Sequence, residues 1–386
     1  MTTLLPPDTQ NLQHVQRLCE QSDPYASSEA LDQLFIEAFK EIIAWHQKNN
    51  PFYNSLLEKN NFSVEKLQTV EDIANLPFIH ANFFKLHETV SINKSEIYEH
   101  MTSSGTSGQK SQMFFDEWSI LSARRMVSFI YDKNGFNRPK EESNFLLLAY
   151  EPLTNFKVGT TKTNIFLTSF AKPKEIFFAL RATNNTHEFD RFGTVRKLQE
   201  YEAAGLPVRI HGFPSFMYFT LKQMQEMDIK VTLHPDSLVM FGGGWKGYAN
   251  QEIPKDVLFE LIHERLGIST ERIRDTYGSV EHSIPYIECK NHHLHIPLWS
   301  RLFIRDVKTL KVLGYGKSGF MNFVTPYITS VPAMSVMMGD IGVLHPASEC
   351  SCGASTPFFE ILGRAGISQN KSCAVSASEL LKRKGV

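Results

Sequence analysis

The sequence predicts an α/β domain built on a largely parallel sheet, followed by a smaller β-rich region. Two observations carry this. In the middle of the chain, short apolar runs alternate with helical patterns, and from about residue 286 the helices give way to short strand-like segments separated by turns. The length, 386 residues, suits one large domain or two ordinary ones.

Taken in order, residues 29–49 read as an amphipathic helix. Leu31, Leu34, Phe35, Ala38, Phe39, Ile42 and Ile43 share one face, and Asn50 with Pro51 stops it. A polar, mixed stretch runs on to about residue 100. The apolar run 145–150, closed by Pro152, is a buried strand, and 208–211 is another, followed by a helix over 214–227. Leu238–Phe241 runs into three glycines, a helix over 254–266 follows, and 272–275 leads into Tyr277-Gly278. Beyond these, 302–304 and 320–324 are short strands of the β-rich region.

A formal net charge of −1 offers no long-range attraction to nucleic acid or to an anionic membrane, so neither is an expected partner. No stretch approaches the length of a membrane span, and the N-terminus lacks the basic start and apolar run of a secretory signal. Five cysteines, an odd number, argue against a disulfide framework. A cytoplasmic enzyme is the expectation. The 29 phenylalanines fill a core, or line a slot for a long apolar substrate.

The segment Thr102-Ser103-Ser104-Gly105-Thr106-Ser107-Gly108-Gln109-Lys110 offers what a polyphosphate needs: flexible backbone whose N–H groups converge, several hydroxyl donors and one cation. Gly105 and Gly108 are too close together for a Walker A loop. Taken alone, such a stretch also reads as a surface loop.

Its residue order resembles the phosphate-binding loop of the adenylate-forming superfamily, and further pieces of that pattern follow in sequence. Gly242-Gly243-Gly244-Trp245 resembles the glycine turn beside the adenine, and Tyr277-Gly278-Ser279-Val280-Glu281 resembles the Y-G-x-T-E motif. Gly339-Asp340 resembles the aspartate that holds the ribose, and Gly363-Arg364 the later G-R motif. The resemblance implies ATP and magnesium as cofactors. Glu281 would hold the magnesium, Asp340 would accept hydrogen bonds from the ribose, and Lys110 with its loop would neutralise the phosphates. The alternative for either carboxylate is an ordinary solvated or ion-paired acid.

The wording of TSSGTSGQK and GRAGIS, and the short segment after Arg364, resemble the acyl-protein synthetase family of bacterial bioluminescence. That resemblance implies a large adenylation domain without the superfamily's usual mobile C-terminal domain. It divides the chain into an α/β adenylation core over 1–285, a β-rich subdomain over 286–364 and a tail over 365–386. It also implies a reaction. A long-chain fatty acid, of about tetradecanoate length, is activated with ATP and transferred to a cysteine near the C-terminus. A fatty acyl reductase then receives the group, in a complex that also holds an acyl transferase and supplies the luciferase aldehyde.

Cys373 is the matching cysteine. It lies beside Lys371 and just before Ser376-x-x-Glu379, a capping box opening a short helix; both features favour the thiolate. The alternative is a buried, inert thiol. Val280 stands where the superfamily has Thr, Met338 where it has Thr, and Ala365-Gly366 where it has an acidic hinge. Lys382 or Lys384 could replace the missing domain's lysine, or belong to a solvated tail.

Cys289 and His295 form a C-x5-H pair, and Cys350 and Cys352 a C-x-C pair, a donor set suited to structural tetrahedral zinc. A similar arrangement occurs in phenylacetate-CoA ligase-like relatives, whose pattern favours His295 over His292 or His293. Ordinary residues at a β-turn are the alternative. Three other functions stay open: an acyl- or aryl-CoA ligase of the phenylacetate type, a non-catalytic nucleotide-binding subunit, and a serine hydrolase, which the context of Ser215 fits poorly.

Overall fold

The structure is a computed structural model, and it describes residues 4–102, 111–152, 159–183, 186–245 and 247–365. The N-terminal third is helical, with α1 Gln13–Cys19, α2 Glu29–Asn49, α3 Pro51–Lys59 and α4 Phe83–Leu86 around the short strand β1 Ile79–His80. Helix α2 has the bounds its apolar stripe predicts, and the Ser28 hydroxyl caps it by accepting from the Leu31 amide. Asn50 ends α2, but Pro51 also begins α3. Its fixed φ suits a first helical position, and the Asn50 carboxamide accepts from the Tyr53 amide at 3.0 Å.

A hairpin of β2 Glu99–Thr102 and β3 Gln112–Phe115 leads into α5 Glu117–Lys133, and β4 Arg138–Tyr150 follows. Next come α6 Gly159–Leu167, β5 Ala171–Thr183, β6 Thr186–Phe189 and α7 Arg191–Ala204. The repeat of β7 Val208–Gly212, α8 Pro214–Glu226, β8 Leu238–Phe241, α9 Lys255–Leu266 and β9 Ile273–Tyr277 is the predicted strand–helix alternation. The remaining strands are β10 Tyr286–Ile287, β11 Leu294–His295, β12 Arg301–Arg305, β13 Val312–Leu313, β14 Ser318–Val324, β15 Ser335–His345 and β16 Phe358–Arg364.

Apart from the β2–β3 hairpin, which is a two-stranded sheet of its own, these strands form two seven-stranded sheets. The first runs β10-β9-β8-β7-β4-β5-β6, parallel from β9 to β5, with antiparallel edges at β10 and β6. The second runs β11-β16-β15-β14-β12-β13, is antiparallel throughout, and takes β1 in parallel against β15.

Strand β8 shows why an unbroken apolar run was needed. Val239 and Phe241 pack into the cluster with α7, α8 and α9, while Leu238 and Met240 point the other way, into the cluster shared with α5, the N-terminal helices and the second sheet. The second face of the parallel sheet is thus welded to the β-rich region by a continuous core. At the membrane question the structure is brief: no described helix is long and apolar enough to span one.

Candidate active site

In open parallel sheets the crevice lies beyond the carboxyl ends of the strands, and the predicted motifs collect there. Strand β7 ends at Gly212, whose φ of +132° only glycine adopts readily; a Cβ there would sit 2.3 Å from the Leu148 carbonyl oxygen of β4. The chain then turns into α8. Gly242 follows β8 and donates its amide to the Gly212 carbonyl at 3.1 Å. Gly243, at φ +79°, lies so close to the Phe213 ring that a Cβ would come within 2.7 Å of it. Gly244, at φ +64°, has open space around it. Gly242 and Gly243 are thus glycines because Thr276 and Phe213 pack against them, and Gly244 is the position of this turn with open space beside it.

Strand β9 delivers Tyr277 to the same edge. Its hydroxyl donates to Asp340 Oδ2 at 2.9 Å. Asp340 lies on β15 directly across from Arg364 on β16, whose Nε is 3.8 Å from Asp340 Oδ1. Burial pushes the Asp340 carboxyl up, against the opposing pull of Arg364 and of the Tyr277 hydroxyl. Burial, with Asp340 alongside, holds the Tyr277 phenol well above its usual range, so it stays a donor.

From Tyr277 the chain passes through Gly278, Ser279, Val280 and Glu281 before returning as β10. This turn is strongly held. The Ser283 amide donates to the Ser279 carbonyl at 2.8 Å, the Ser283 hydroxyl donates to the Val280 carbonyl, and Tyr327 donates to the Ser283 carbonyl. His282 Nε2 lies 2.8 Å from the Tyr286 hydroxyl and 3.2 Å from that of Ser300, and burial pushes its pKa down to about 3, so the ring is neutral. Glu281 is only 5% exposed and makes no hydrogen bond or ion pair to any described residue. A buried carboxylate without a protein partner is costly, and a hard cation would satisfy it.

Met338 takes part too: its sulfur is 4.0 Å from the Ser279 hydroxyl. Strand β2 ends at Thr102, paired with Gln112 of β3. Ser103, Ser104, Gly105, Thr106, Ser107, Gly108 and Lys110 lie outside the described residues, as does Cys373. The structure thus brings Tyr277, Asp340 and Arg364 together, sets Glu281 where it acts electrostatically on Tyr277, and places the Gly243-Gly244 turn at the end of β8, the strand beside β9; it is silent on the loop and the tail.

Residue pattern did not single out the locking set His282, Tyr286 and Ser300. Its only trace in the sequence is a His five positions after Tyr277. His211, which opens the 211–218 segment that the sequence reading expects to shape the acyl pocket, is 1% exposed near the end of β7, and neither ring nitrogen has a hydrogen-bond partner among the described residues.

The four predicted metal donors also meet. Cys289 Sγ lies 3.7 Å from Cys350 Sγ, Cys352 Sγ lies 3.3 Å from His295 Nε2, and all four donor atoms fall within 4.8 Å of one another. Tetrahedral zinc with bonds of about 2.3 Å to sulfur and about 2.0 Å to nitrogen needs S–S edges of about 3.8 Å and S–N edges of about 3.5 Å. The donors fit. The other ring nitrogen of His295 lies 2.7 Å from the Thr356 carbonyl, the outer contact that fixes a ligating imidazole.

A parallel sheet with glycine turns at its strand ends, joined to a β-rich region that adds an aspartate and an arginine, is the fold of the adenylate-forming ligases. Solved structures of 2-hydroxyisobutyryl-CoA ligase share it. The open form with 2-HIB-AMP and CoA superposes with a TM-score of 0.64 at 16% identity, over 91% of this chain and 79% of that one. The postadenylation form with R3-HIB-AMP does so with a TM-score of 0.65 at 15% identity, over 93% and 72%.

The family is narrower. The model of the family "Acyl-protein synthetase, LuxE" matches residues 1–382, and the chain belongs to that family. The chain is 27% identical over 355 residues to the long-chain-fatty-acid–luciferin-component ligase of Vibrio harveyi, covering 91% of this chain and 89% of the relative. It is 25% identical over 359 residues to the protein of that name from Aliivibrio fischeri, covering 92% and 89%. It is an enzyme, an ATP-dependent ligase.

Proposed function

We propose that the enzyme condenses a long-chain fatty acid with ATP to an acyl-adenylate and then moves the acyl group to its own Cys373. The fatty acid carboxylate attacks the α-phosphorus and diphosphate leaves. The Cys373 thiolate then attacks the acyl carbonyl, a thioester forms and AMP departs. The observation that carries the first half is the convergence of Tyr277, Asp340 and Arg364 beside the buried Glu281, which has no hydrogen bond or ion pair among the described residues.

In this reading Thr102, Ser103, Ser104, Gly105, Thr106, Ser107, Gly108 and Lys110 grip the phosphates. Gly243 and Gly244 face the adenine, with Tyr277, Gly278 and Ser279 beside it. Asp340 accepts from the ribose hydroxyls through the oxygen that Tyr277 leaves open, and Arg364 flanks it. Glu281 is the residue suited to hold magnesium, which supplies positive charge to the leaving diphosphate. Residues 211–218 and the Gly242 turn shape the acyl and adenine pockets. Zinc on Cys289, His295, Cys350 and Cys352 is structural. The acyl group passes to a reductase partner, which makes the luciferase aldehyde, and the work is cytoplasmic.

Product analysis tests the reaction. With labelled tetradecanoate and ATP, one AMP should be released per acyl group bound, and neutral hydroxylamine should strip the label. ADP as the product, or release of acyl-CoA when CoA is added, would replace this reading with a kinase-type activation or with a CoA ligase of the phenylacetate type.

A further inference from the structure

The thiolate–imidazole cluster lies where the chain crosses from one sheet to the other. Cys289 follows β10, the edge strand of the first sheet, whose ladder with β9 pairs Tyr286 with Tyr277 and Ile287 with Thr276. Glu288 extends that ladder by donating its amide to the Asp275 carbonyl at 3.1 Å, while its carboxylate accepts from the Asp275 amide at 2.8 Å and pairs with Lys255 of α9. The other three ligands belong to the second sheet. His295 is on β11, paired with Phe358 of β16, while Cys350 and Cys352 sit in the turn between His345 of β15 and Phe358 of β16.

These same strands carry the two halves of the nucleotide site at their far ends. Strand β9 leads to Tyr277 and Glu281; β15 and β16 carry Asp340 and Arg364, roughly 17 Å along the hairpin from His345 at about 3.4 Å per residue. Between the cluster and the site, the two edges meet through rings: Tyr286 and Phe359 at 5.1 Å, Tyr277 and Phe359 at 5.8 Å. At the site itself the two sheets are linked by the hydrogen bond from Tyr277 to Asp340 and by the 4.0 Å contact of the Ser279 hydroxyl with the Met338 sulfur.

We propose that a zinc ion on Cys289, His295, Cys350 and Cys352 is the strut that clamps the two sheets together at the end opposite the nucleotide, and so sets the spacing of Tyr277 and Glu281 from Asp340 and Arg364. Arg274 completes the strut. Three thiolates around a divalent ion leave one net negative charge, and Arg274, on β9 and only 4% exposed, supplies the opposite one. Its Nε has no hydrogen-bond partner among the described residues, its Nη1 reaches only the Ile273 carbonyl at 3.4 Å, the Phe136 ring lies 5.7 Å from the guanidinium, and the charges that act on it are Glu288 first and then Cys289. The inference rests on the zinc and nucleotide readings above, and its test separates them.

The experiment uses the full chain, as purified, after extraction of zinc by a chelator, and after zinc is returned. Three quantities are read: zinc per chain, amide hydrogen exchange over 273–287 and 336–345, and the KM for ATP in fatty-acid-dependent pyrophosphate exchange. One zinc per chain is expected. Extraction should speed exchange in both segments and raise the ATP KM about tenfold with a smaller change in kcat, and zinc should reverse both. Arg274→Gln should fold and bind zinc, yet lose it to a chelator about tenfold more readily, whereas Cys19→Ala, at a buried thiol outside the cluster, should match the wild type. A wild-type chain without zinc, or extraction that leaves hydrogen exchange in both segments unchanged, overturns the strut. Protected segments that loosen on extraction in a chain without exchange activity support the strut and count against the catalytic reading alone.

Discussion

Glu281→Gln is expected to lower the rate of acyl-adenylate formation by about 10²–10³-fold, the usual cost of removing one group that stabilises charge in a reacting phosphate or oxyanion. The substitution keeps the volume of the side chain and removes only the charge. Because Glu281 is buried and has no described protein partner, that charge contributes nothing to the fold that glutamine cannot. The variant should melt at or slightly above the wild-type temperature while its magnesium requirement rises steeply. Fatty-acid-dependent pyrophosphate exchange, followed against magnesium concentration, reads this directly. A variant within threefold of wild type at every magnesium concentration removes Glu281 from the chemistry. A variant equally slow but strongly destabilised reassigns it to holding the turn that His282, Tyr286 and Ser300 already lock.

The second large effect is complete rather than graded. Cys373→Ser should form acyl-adenylate at the wild-type rate and carry no covalent fatty acid. A serine hydroxyl is far less acidic than a thiol, whereas the neighbouring Lys371 and the Ser376-x-x-Glu379 pattern in the sequence favour a thiolate. Adenylate formation is measured by pyrophosphate exchange and acylation by the label retained on the denatured protein after incubation with radioactive tetradecanoate. Retained label at the wild-type level moves the acceptor to another residue. Loss of exchange together with loss of label would place Cys373 in the first half-reaction instead.

Much of the parallel core was legible because its strands are buried on both faces and read as unbroken apolar runs: Leu238–Phe241 has the predicted bounds, and Val208–Gly212 and Pro214–Glu226 each differ by one residue. Strand β5 was not legible. Its first half, Ala-Lys-Pro-Lys-Glu, pairs with β4 but lies beyond the reach of β6, which pairs only with residues 180–183; it is largely exposed and carries no apolar signal. Helix α3 was hidden in a polar stretch because Pro51, read as a stop, also suits a helix start.

In the site, the motifs gave residue identities but not partners. Nothing in the spacing of Tyr277 and Asp340 shows that one donates to the other, since that contact forms between two sheets. The zinc donors were visible as two short pairs, yet only the topology shows that one pair spans the sheets and the other caps a hairpin.

One exchange reaction tests the adenylating activity directly. The purified chain, alone, with ATP, magnesium and labelled diphosphate, is predicted to return label to ATP only when a long-chain fatty acid is present, with no need for CoA or a partner protein. Label returned without fatty acid, or none returned with any fatty acid of a panel spanning short to long chains, would contradict it.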